Sequence, residues 1–335
     1  MKLETVMPSV SVLIPAHNEE EYISRCIASV FRTRWPRDRL EVLVMDNCSV
    51  DATARQARTA GADVLHVSTG RIGAIRNFGL AAAQGEFVAY VDGDCEVPPT
   101  WLRAAIDLLK SNAGIGAVGG PCLSPADGTW VQRSLAPSKV GSGYVGPAKA
   151  IATSSFIART SLLREAGGFD ETLISGEDDD MSSRIRSRGL GLVSASDCHI
   201  IHHGYPRTWW NALKKEIWHG SHHIEVRTKF DLTLILTFVF LSASIALPFL
   251  LVAALLARGT APLHAFCVDV LLQFAPPFLF ALKRIRHSAR DWRLVFPVLA
   301  VGYAYFAGHS IGVLANLWER TMSHLQRSAT AAGSN

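Results

Sequence analysis

The chain is predicted to be an α/β domain, a mostly parallel sheet with helices on both faces, followed by an α-helical membrane region. Three observations carry that expectation. Short apolar runs bounded by turn residues alternate with helix-like stretches from Val10 to about Ser111. Acids, amides and hydroxyls gather just after those runs, where parallel strands deliver functional groups at their carboxyl ends. After Phe230 the composition changes to long apolar runs.

Val10-Ser11-Val12-Leu13-Ile14 reads as a strand stopped by Pro15, and Ala16-His17-Asn18-Glu19-Glu20-Glu21 leads into a helix through about Phe31. The run is short and three glutamates follow it, so it does not read as a signal peptide. No G-x-G-x-x-G comes after it, which argues against a dinucleotide-binding domain. Leu40 to Met45 is a second strand, ending in Asp46-Asn47-Cys48-Ser49-Val50-Asp51 before a helix over 52–60. A third strand at Val64-Leu65-His66 precedes Gly70 to Gly79, whose Arg71 and Arg76 either face an anion or lie on a solvated helix face.

Phe87 to Val91 reads as a buried strand that breaks into Asp92-Gly93-Asp94. Two acids this close repel unless a cation or solvent lies between them. Hard oxygen ligands suit Mg²⁺ or Mn²⁺, although Asp-Gly is also a common turn dipeptide. Trp101 to Ser111 is a helix, and Gly114 to Pro147 is a looser stretch rich in Gly, Pro and Ser. Ala152 to Ala158 is a strand, and Gly167-Gly168-Phe169-Asp170-Glu171 a turn. Glu177-Asp178-Asp179-Asp180 then open a helix over Met181 to Arg188. Acids stabilise a helix N-terminus, but four exceed what capping needs. A crowded, partly desolvated carboxylate has a raised pKa, so Asp178 or a neighbour is a candidate general base. Val193 to Ala195 and Ile200 to Gly204 are further strands. The adjacent His202 and His203 either coordinate the same metal or are solvated imidazoles.

Bulk properties narrow the class. The chain has 335 residues and a formal charge of +4, too small to argue for nucleic acid as a partner. Its six cysteines are scattered with no Cys-x-x-Cys spacing, which points to a reducing compartment and away from structural zinc.

In order and spacing, several motifs of this chain resemble those of the family 2 glycosyltransferases. They are Ile14-Pro15-Ala16-His17-Asn18-Glu19, Asp46-Asn47-x-Ser49-x-Asp51, Arg76-Asn77-x-Gly79, Asp92-x-Asp94, Gly168-Phe169-Asp170-Glu171 and Gly176-Glu177-Asp178-x-Asp180. The likeness spans about Val10 to His203. It implies the glycosyltransferase-A fold and use of a nucleotide-diphosphate sugar, with Mg²⁺ or Mn²⁺ as cofactor. It also implies that Asp46 contacts the base of the nucleotide, Asp92 the nucleotide sugar and Asp94 the metal, while Asp178 is the catalytic base. Pro15, Ala16, Asn18, Glu19, Asp51, Arg76 and Glu177 are expected around the donor, and His202 as a further metal ligand. Cys48 stands where the family often has glycine.

Leu232 to Leu256, Ala261 to Leu282 and Leu294 to Trp318 are each long enough to cross a bilayer, although Asp269 and Pro276-Pro277 interrupt the second. Lys283, Arg284, Arg286, Arg290 and Arg293 lie between the second and third, against only Arg258 between the first two. The positive-inside rule therefore places the catalytic domain in the cytoplasm. Trp209, Trp210 and Trp218, interleaved with Lys214 and Lys215, suit a helix at the membrane surface. The expected division is a catalytic domain over 1–206, an interfacial segment over 207–230, a transmembrane region over 231–320 and a polar tail over 321–335.

The expected function is a multi-pass inner-membrane, inverting, hexosyltransferase-type enzyme. It would move sugar, UDP-linked by expectation, to a hydroxyl of a lipid-linked glycan or lipid in cell-envelope or exopolysaccharide biosynthesis. Other polysaccharide-assembly proteins are expected partners. The alternatives are transfer to a polyprenyl phosphate, which the acids around Asp178 would repel, and a non-catalytic nucleotide-sugar-binding scaffold, which the intact acids disfavour. Lys215-Glu216-Ile217-Trp218 stands where processive relatives carry Gln-x-x-Arg-Trp, which disfavours synthesis of a long polymer.

Overall fold

The computed structural model describes residues 7–136, 143–226, 232–256, 260–287, 293 and 295–332. Arg258, Arg290 and part of the Gly114–Pro147 stretch lie outside the described residues. The chain forms two compact units, one drawn from Met1–Ala126 and Ser138–Tyr205, the other from Asp127–Pro137 and Pro206–Asn335.

The first unit opens with β1 (Val10–Ala16), α1 (Ile23–Phe31), β2 (Leu40–Asn47), α2 (Thr53–Thr59), β3 (Asp63–Val67), α3 (Ile72–Ala82) and β4 (Phe87–Tyr90). β5 (Cys95–Glu96), α4 (Trp101–Ser111), β6 (Ile115–Gly119) and β7 (Cys122–Leu123) follow, and then α5 (Trp130–Leu135), which belongs to the second unit. The first unit closes with β8 (Val145–Pro147), β9 (Phe156–Arg159), α6 (Thr160–Glu165), α7 (Glu177–Ser187), β10 (Gly191–Ala195) and β11 (Ile200–His202).

Eight strands form one sheet in the order β3-β2-β1-β4-β9-β6-β10-β8, and β5-β11-β7 form a second, smaller one. In the large sheet β9 runs antiparallel to β4 and β6, β8 runs antiparallel to β10, and the remaining pairs are parallel. The period-2 alternation of β1 separates two apolar layers. Val10, Val12 and Ile14 pack with Ile27 of α1 and Leu102 and Ile106 of α4. Leu13 packs on the other face with Ile75 of α3, Leu163 of α6 and Ile185 of α7.

The structure moves several expected boundaries. Pro15 lies inside β1, opposite Met45 of β2. Proline is tolerated there because β4 pairs with β1 only as far as Leu13, so the missing N–H faces no ladder partner. The Gly-rich stretch after Asn112 holds a buried strand, β6, in the middle of the sheet. Its glycines serve close approach: a Cβ on Gly119 would lie 2.1 Å from the Ser155 carbonyl oxygen, and one on Gly116 would lie 2.5 Å from Ile185 Cγ2. The four acids from Glu177 sit in the first turn of α7 rather than ahead of the helix, after Gly176 at φ 81°.

In the second unit α8 (Trp209–Val226), α9 (Leu232–Leu256), α10 (Ala261–His287) and α11 (Val295–Ala332) assemble with α5. Leu232–Leu256, Ala261–Ile285 and Val295–Ser323 are long and apolar enough to cross a membrane. α8 packs along α11 through small residues. A Cβ on Gly312 would lie 2.1 Å from the Ile217 carbonyl oxygen, and one on Gly220 would lie 2.3 Å from that of His309. Trp209 Nε1 donates to the Ala300 carbonyl at 2.8 Å, while Trp210 and Trp218 remain exposed. The α5 helix opens with a capping box at Thr129, whose hydroxyl also donates to the Arg207 carbonyl at 2.9 Å. Its Val131 is buried with Ala212 and Val301.

Candidate active site

The site is built at the carboxyl ends of β1, β2 and β4, where the parallel register brings three loops together. Ala16 at the end of β1 pairs with Asp46 of β2. Asp46 is buried, its Oδ2 lies 3.2 Å from His66 Nδ1, and its Oδ1 has no hydrogen-bond partner among the described residues. A buried carboxylate oxygen left unpaired is costly unless a ligand N–H reaches it.

The loops after β1 and β2 lock one another. Asn18, at φ 56°, donates its backbone N–H to Ser49 Oγ at 3.0 Å and accepts from the Val50 N–H at 2.9 Å. Asp51 accepts from the Glu20 N–H at 3.1 Å and the Thr53 N–H at 2.9 Å. Against the upward push of burial, the Thr53 and Glu20 hydrogen bonds hold its carboxyl below the usual range. Cys48, which stands where the resemblance leads one to expect glycine, adopts φ 55°, the left-handed region that favours glycine.

Beyond β4, Asp92, Asp94 and Glu19 converge. Gly93 permits this, since a Cβ there would lie 3.3 Å from Glu19 Cγ. Burial first, then the charges of Asp94 and Asp92, push the Glu19 carboxyl up to about 7. Burial also raises Asp92, against the opposing pull of Arg76. Arg76 of α3 is itself buried and ion-pairs with both Glu177 and Asp92, the latter at 3.3 Å. Asp178, next in α7, is half-buried and its carboxyl is pushed up to about 6 by burial and by Glu177. Burial raises the thiol of Cys122 against the opposing hydrogen bond from Ser154, and the charges of Asp92, Asp94 and Asp178 add to the rise.

His202 arrives from a distant part of the chain. The antiparallel pairing of β11 with β5 sets His202 opposite Cys95, and its Nε2 lies 3.1 Å from Asp94 Oδ2. His203 turns the other way, donating its backbone N–H to the Asp94 carbonyl at 2.9 Å and placing Nε2 2.8 Å from Glu96. The two histidines therefore do not share a ligand position. Asp94, Cys95 and His202 bring potential ligand atoms within 4.8 Å of one another. Burial, then Asp94 and Asp92, pushes the Cys95 thiol up, and soft sulfur suits Mg²⁺ or Mn²⁺ less well than carboxylate oxygen does. The Asp94–His202 separation suits a shared divalent cation, because neighbouring ligands in octahedral geometry at 2.0–2.1 Å stand roughly 2.9 Å apart. The crowd of carboxylates supplies the negative field such an ion needs.

Other motif residues serve as framework. Pro15 and Ala16 contribute backbone at the end of β1. Asn77 clamps a turn, with Nδ2 donating to the Phe169 carbonyl and to Glu171 Oε1, both at 2.8 Å, and Oδ1 accepting from the Phe169 N–H at 2.7 Å. Arg71 donates to the Thr172 carbonyl.

A family model for glycosyl transferase family 2 matches residues 11–165. The glycosyltransferase AglE of Haloferax volcanii is 31% identical over 234 residues, which are 67% of this chain and 76% of that protein. Poly(ribitol-phosphate) beta-N-acetylglucosaminyltransferase TarS of Staphylococcus aureus is 31% identical over 112 residues, 32% of this chain and 20% of that enzyme. Among solved structures, the mannosyltransferase PcManGT of Pyrobaculum calidifontis, in complex with GDP-Man and Mn²⁺, is similar with a TM-score of 0.58 at 20% identity, over 94% of this chain and 88% of that one. The fold is thus of the glycosyltransferase-A kind, as the motifs led one to expect. The chain belongs to glycosyl transferase family 2.

The buried Arg76 yields a stability prediction. Arg76→Met alone strands Glu177 and should destabilise the protein by about 3–5 kcal/mol. Adding Glu177→Gln should recover part of that loss, with a coupling of roughly 0.5–3 kcal/mol in a double-mutant cycle read by denaturant unfolding. Strictly additive losses would show that the pair is not coupled.

Proposed function

We propose that this chain is a membrane-anchored, inverting glycosyltransferase of cell-envelope or exopolysaccharide biosynthesis, taking a sugar from a nucleotide-diphosphate donor, with UDP the expected nucleotide, to a hydroxyl of a lipid-linked acceptor. The observation that carries the reading is the approach of Asp94 to His202 beside the Arg76–Asp92 pair, with Asp178 following Glu177, the other partner of Arg76, in the first turn of α7. A similar protein supports the donor class: PcManGT has been solved with GDP-Man and Mn²⁺.

Asp46 has a free, buried oxygen for a nucleobase N–H, and the interlocked loops of Asn18, Glu19 and Asp51 shape the wall around the nucleotide. Arg76 holds Asp92 toward the donor sugar, and Glu177 fixes Arg76. Asp94 and His202 would hold Mg²⁺ or Mn²⁺, which when bound neutralises charge on the departing diphosphate. Asp178 takes the proton from the acceptor hydroxyl as its oxygen attacks the anomeric carbon, and the nucleoside diphosphate leaves from the opposite face. A single displacement of this kind inverts the configuration. The raised Asp178 pKa keeps the group basic enough to accept that proton near neutrality.

Asp178→Asn should retain donor binding and lose roughly 10²–10⁴-fold in transfer. In the unmodified protein the base must be ionised, so activity should be present above pH 6 and fall tenfold per unit as pH drops below the Asp178 pKa of about 6. Transfer by the Asn variant within a few-fold of wild type would remove Asp178 from that role. Asp94→Ala should abolish stimulation by added Mn²⁺ and weaken nucleotide-sugar binding measured by calorimetry, whereas metal-independent wild-type activity would overturn the assignment of Asp94.

The three apolar helices and the basic residues between the second and third support a cytoplasmic site at the inner membrane. A reporter inserted near His287 should be cytoplasmic and one fused after Arg327 should lie outside. Both on one side would change the number of crossings.

A further inference from the structure

We propose that the second unit contains a binding site for a lipid whose headgroup bears a phosphate or diphosphate, the carrier end of the acceptor. The identification of that lipid as acceptor rests on the function proposed above. The site is a cavity of about 720 Å³ lying wholly among α5, α9, α10 and α11, within the range of pockets that take drug-sized ligands. It touches the first turns of α9, the last apolar turns of α10 and α11 from Val298 to Phe306, so it lies at the end of the helical bundle where the chain enters α9.

Its described lining carries three cations, Arg133, Lys283 and Arg284, and no acid. Arg133 and Lys283 are exposed, and the Arg284 guanidinium stands 4.9 Å over the ring of Phe280. Phe280 stacks on Tyr305 at 5.1 Å, and Phe306 meets Tyr305 edge-on at 5.1 Å, so the apolar wall is a fixed aromatic surface. Basic residues above an apolar slot between membrane helices match an anionic head with a hydrocarbon tail. The volume admits a headgroup and the first part of one chain. Free phosphate would leave the aromatic wall wet, and a neutral lipid would leave the two exposed cations, Arg133 and Lys283, without an anion. The phosphate end is bound while the glycan beyond it stays free to offer a hydroxyl.

The full chain in phosphatidylcholine nanodiscs is titrated with a photoreactive farnesyl phosphate, and crosslinks are mapped by peptide mass spectrometry. We expect saturable labelling of peptides containing Phe280 or Phe306, competed by farnesyl phosphate far better than by farnesol, inorganic phosphate or phosphatidylglycerol. Arg133→Gln combined with Lys283→Gln should weaken labelling by roughly tenfold or more while leaving the thermal midpoint unchanged. Equal competition by farnesol, by inorganic phosphate or by phosphatidylglycerol would overturn the site as, respectively, a mere apolar slot, a free-phosphate site or an ordinary lipid contact. Unchanged labelling of the double variant would overturn it too. Labelling as expected in a protein that transfers sugar to no lipid-linked acceptor would uphold the site and defeat the proposed function. Transfer to such an acceptor with unchanged variant labelling would do the reverse.

Discussion

A guanidinium buried between two carboxylates organises the catalytic side of the first unit. Arg76 reaches from α3 to Asp92 at the end of β4 and to Glu177 in the first turn of α7, tying together segments far apart in the chain. Around it stand Glu19, Asp94 and Asp178, and the raised Glu19 and Asp178 pKa values record how strongly burial and like charge oppose ionisation there. Replacing the arginine would leave carboxylates with no nearby compensation, a heavier cost than the loss of one contact. A second layer keeps the arginine in place. Asn77, its neighbour on α3, binds the Phe169–Glu171 turn, and a Cβ on Gly168 would lie 2.4 Å from Asn77 Oδ1.

This layering shows why motif residues of one kind serve two purposes. In sequence Arg76-Asn77-x-Gly79 and Gly168-Phe169-Asp170-Glu171 are two of the motifs that carry the family resemblance, the second of them reading as a turn. In the structure they are largely each other's partners, and Gly79 admits Met45 of β2, whose Sδ would lie 2.7 Å from an added Cβ. Asn77 and the Phe169–Glu171 turn are therefore part of the frame on which Arg76 stands.

The strands with strong apolar runs were legible, as were the long helices, with α4 at Trp101–Ser111 and α9 at Leu232–Leu256 placed to the residue. β6 was not, because glycines that signal turns by local conformation were selected here for the absence of a side chain against Ser155 and Ile185. Pro15 misled for a related reason, since its fitness for a strand depends on where the neighbouring strand stops. At the site, the acids after each strand could be read from the chain. The pairing of His202 with Asp94 could only be suspected, because it follows from the register of a two-residue strand against a three-residue one. The separate duties of His202 and His203, and the inclusion of Glu19 in the acidic cluster, depend on side-chain direction and were invisible in spacing.

The membership of α5 in the second unit bears on how such enzymes can be divided and recombined. The helix is an insertion from the middle of the sugar-transfer sequence, yet Val131 is buried with Ala212 and Val301, and Thr129 holds the Arg207 carbonyl. The bundle is thus assembled from two non-adjacent stretches of chain. Cutting after Tyr205 would leave α5 without the Ala212 and Val301 seat of its Val131, and exchanging the C-terminal helices for those of another protein would ask a foreign bundle to receive it. A working chimera has to transplant residues 127–137 together with everything from 206 onward, so the natural unit of exchange is discontinuous in the gene.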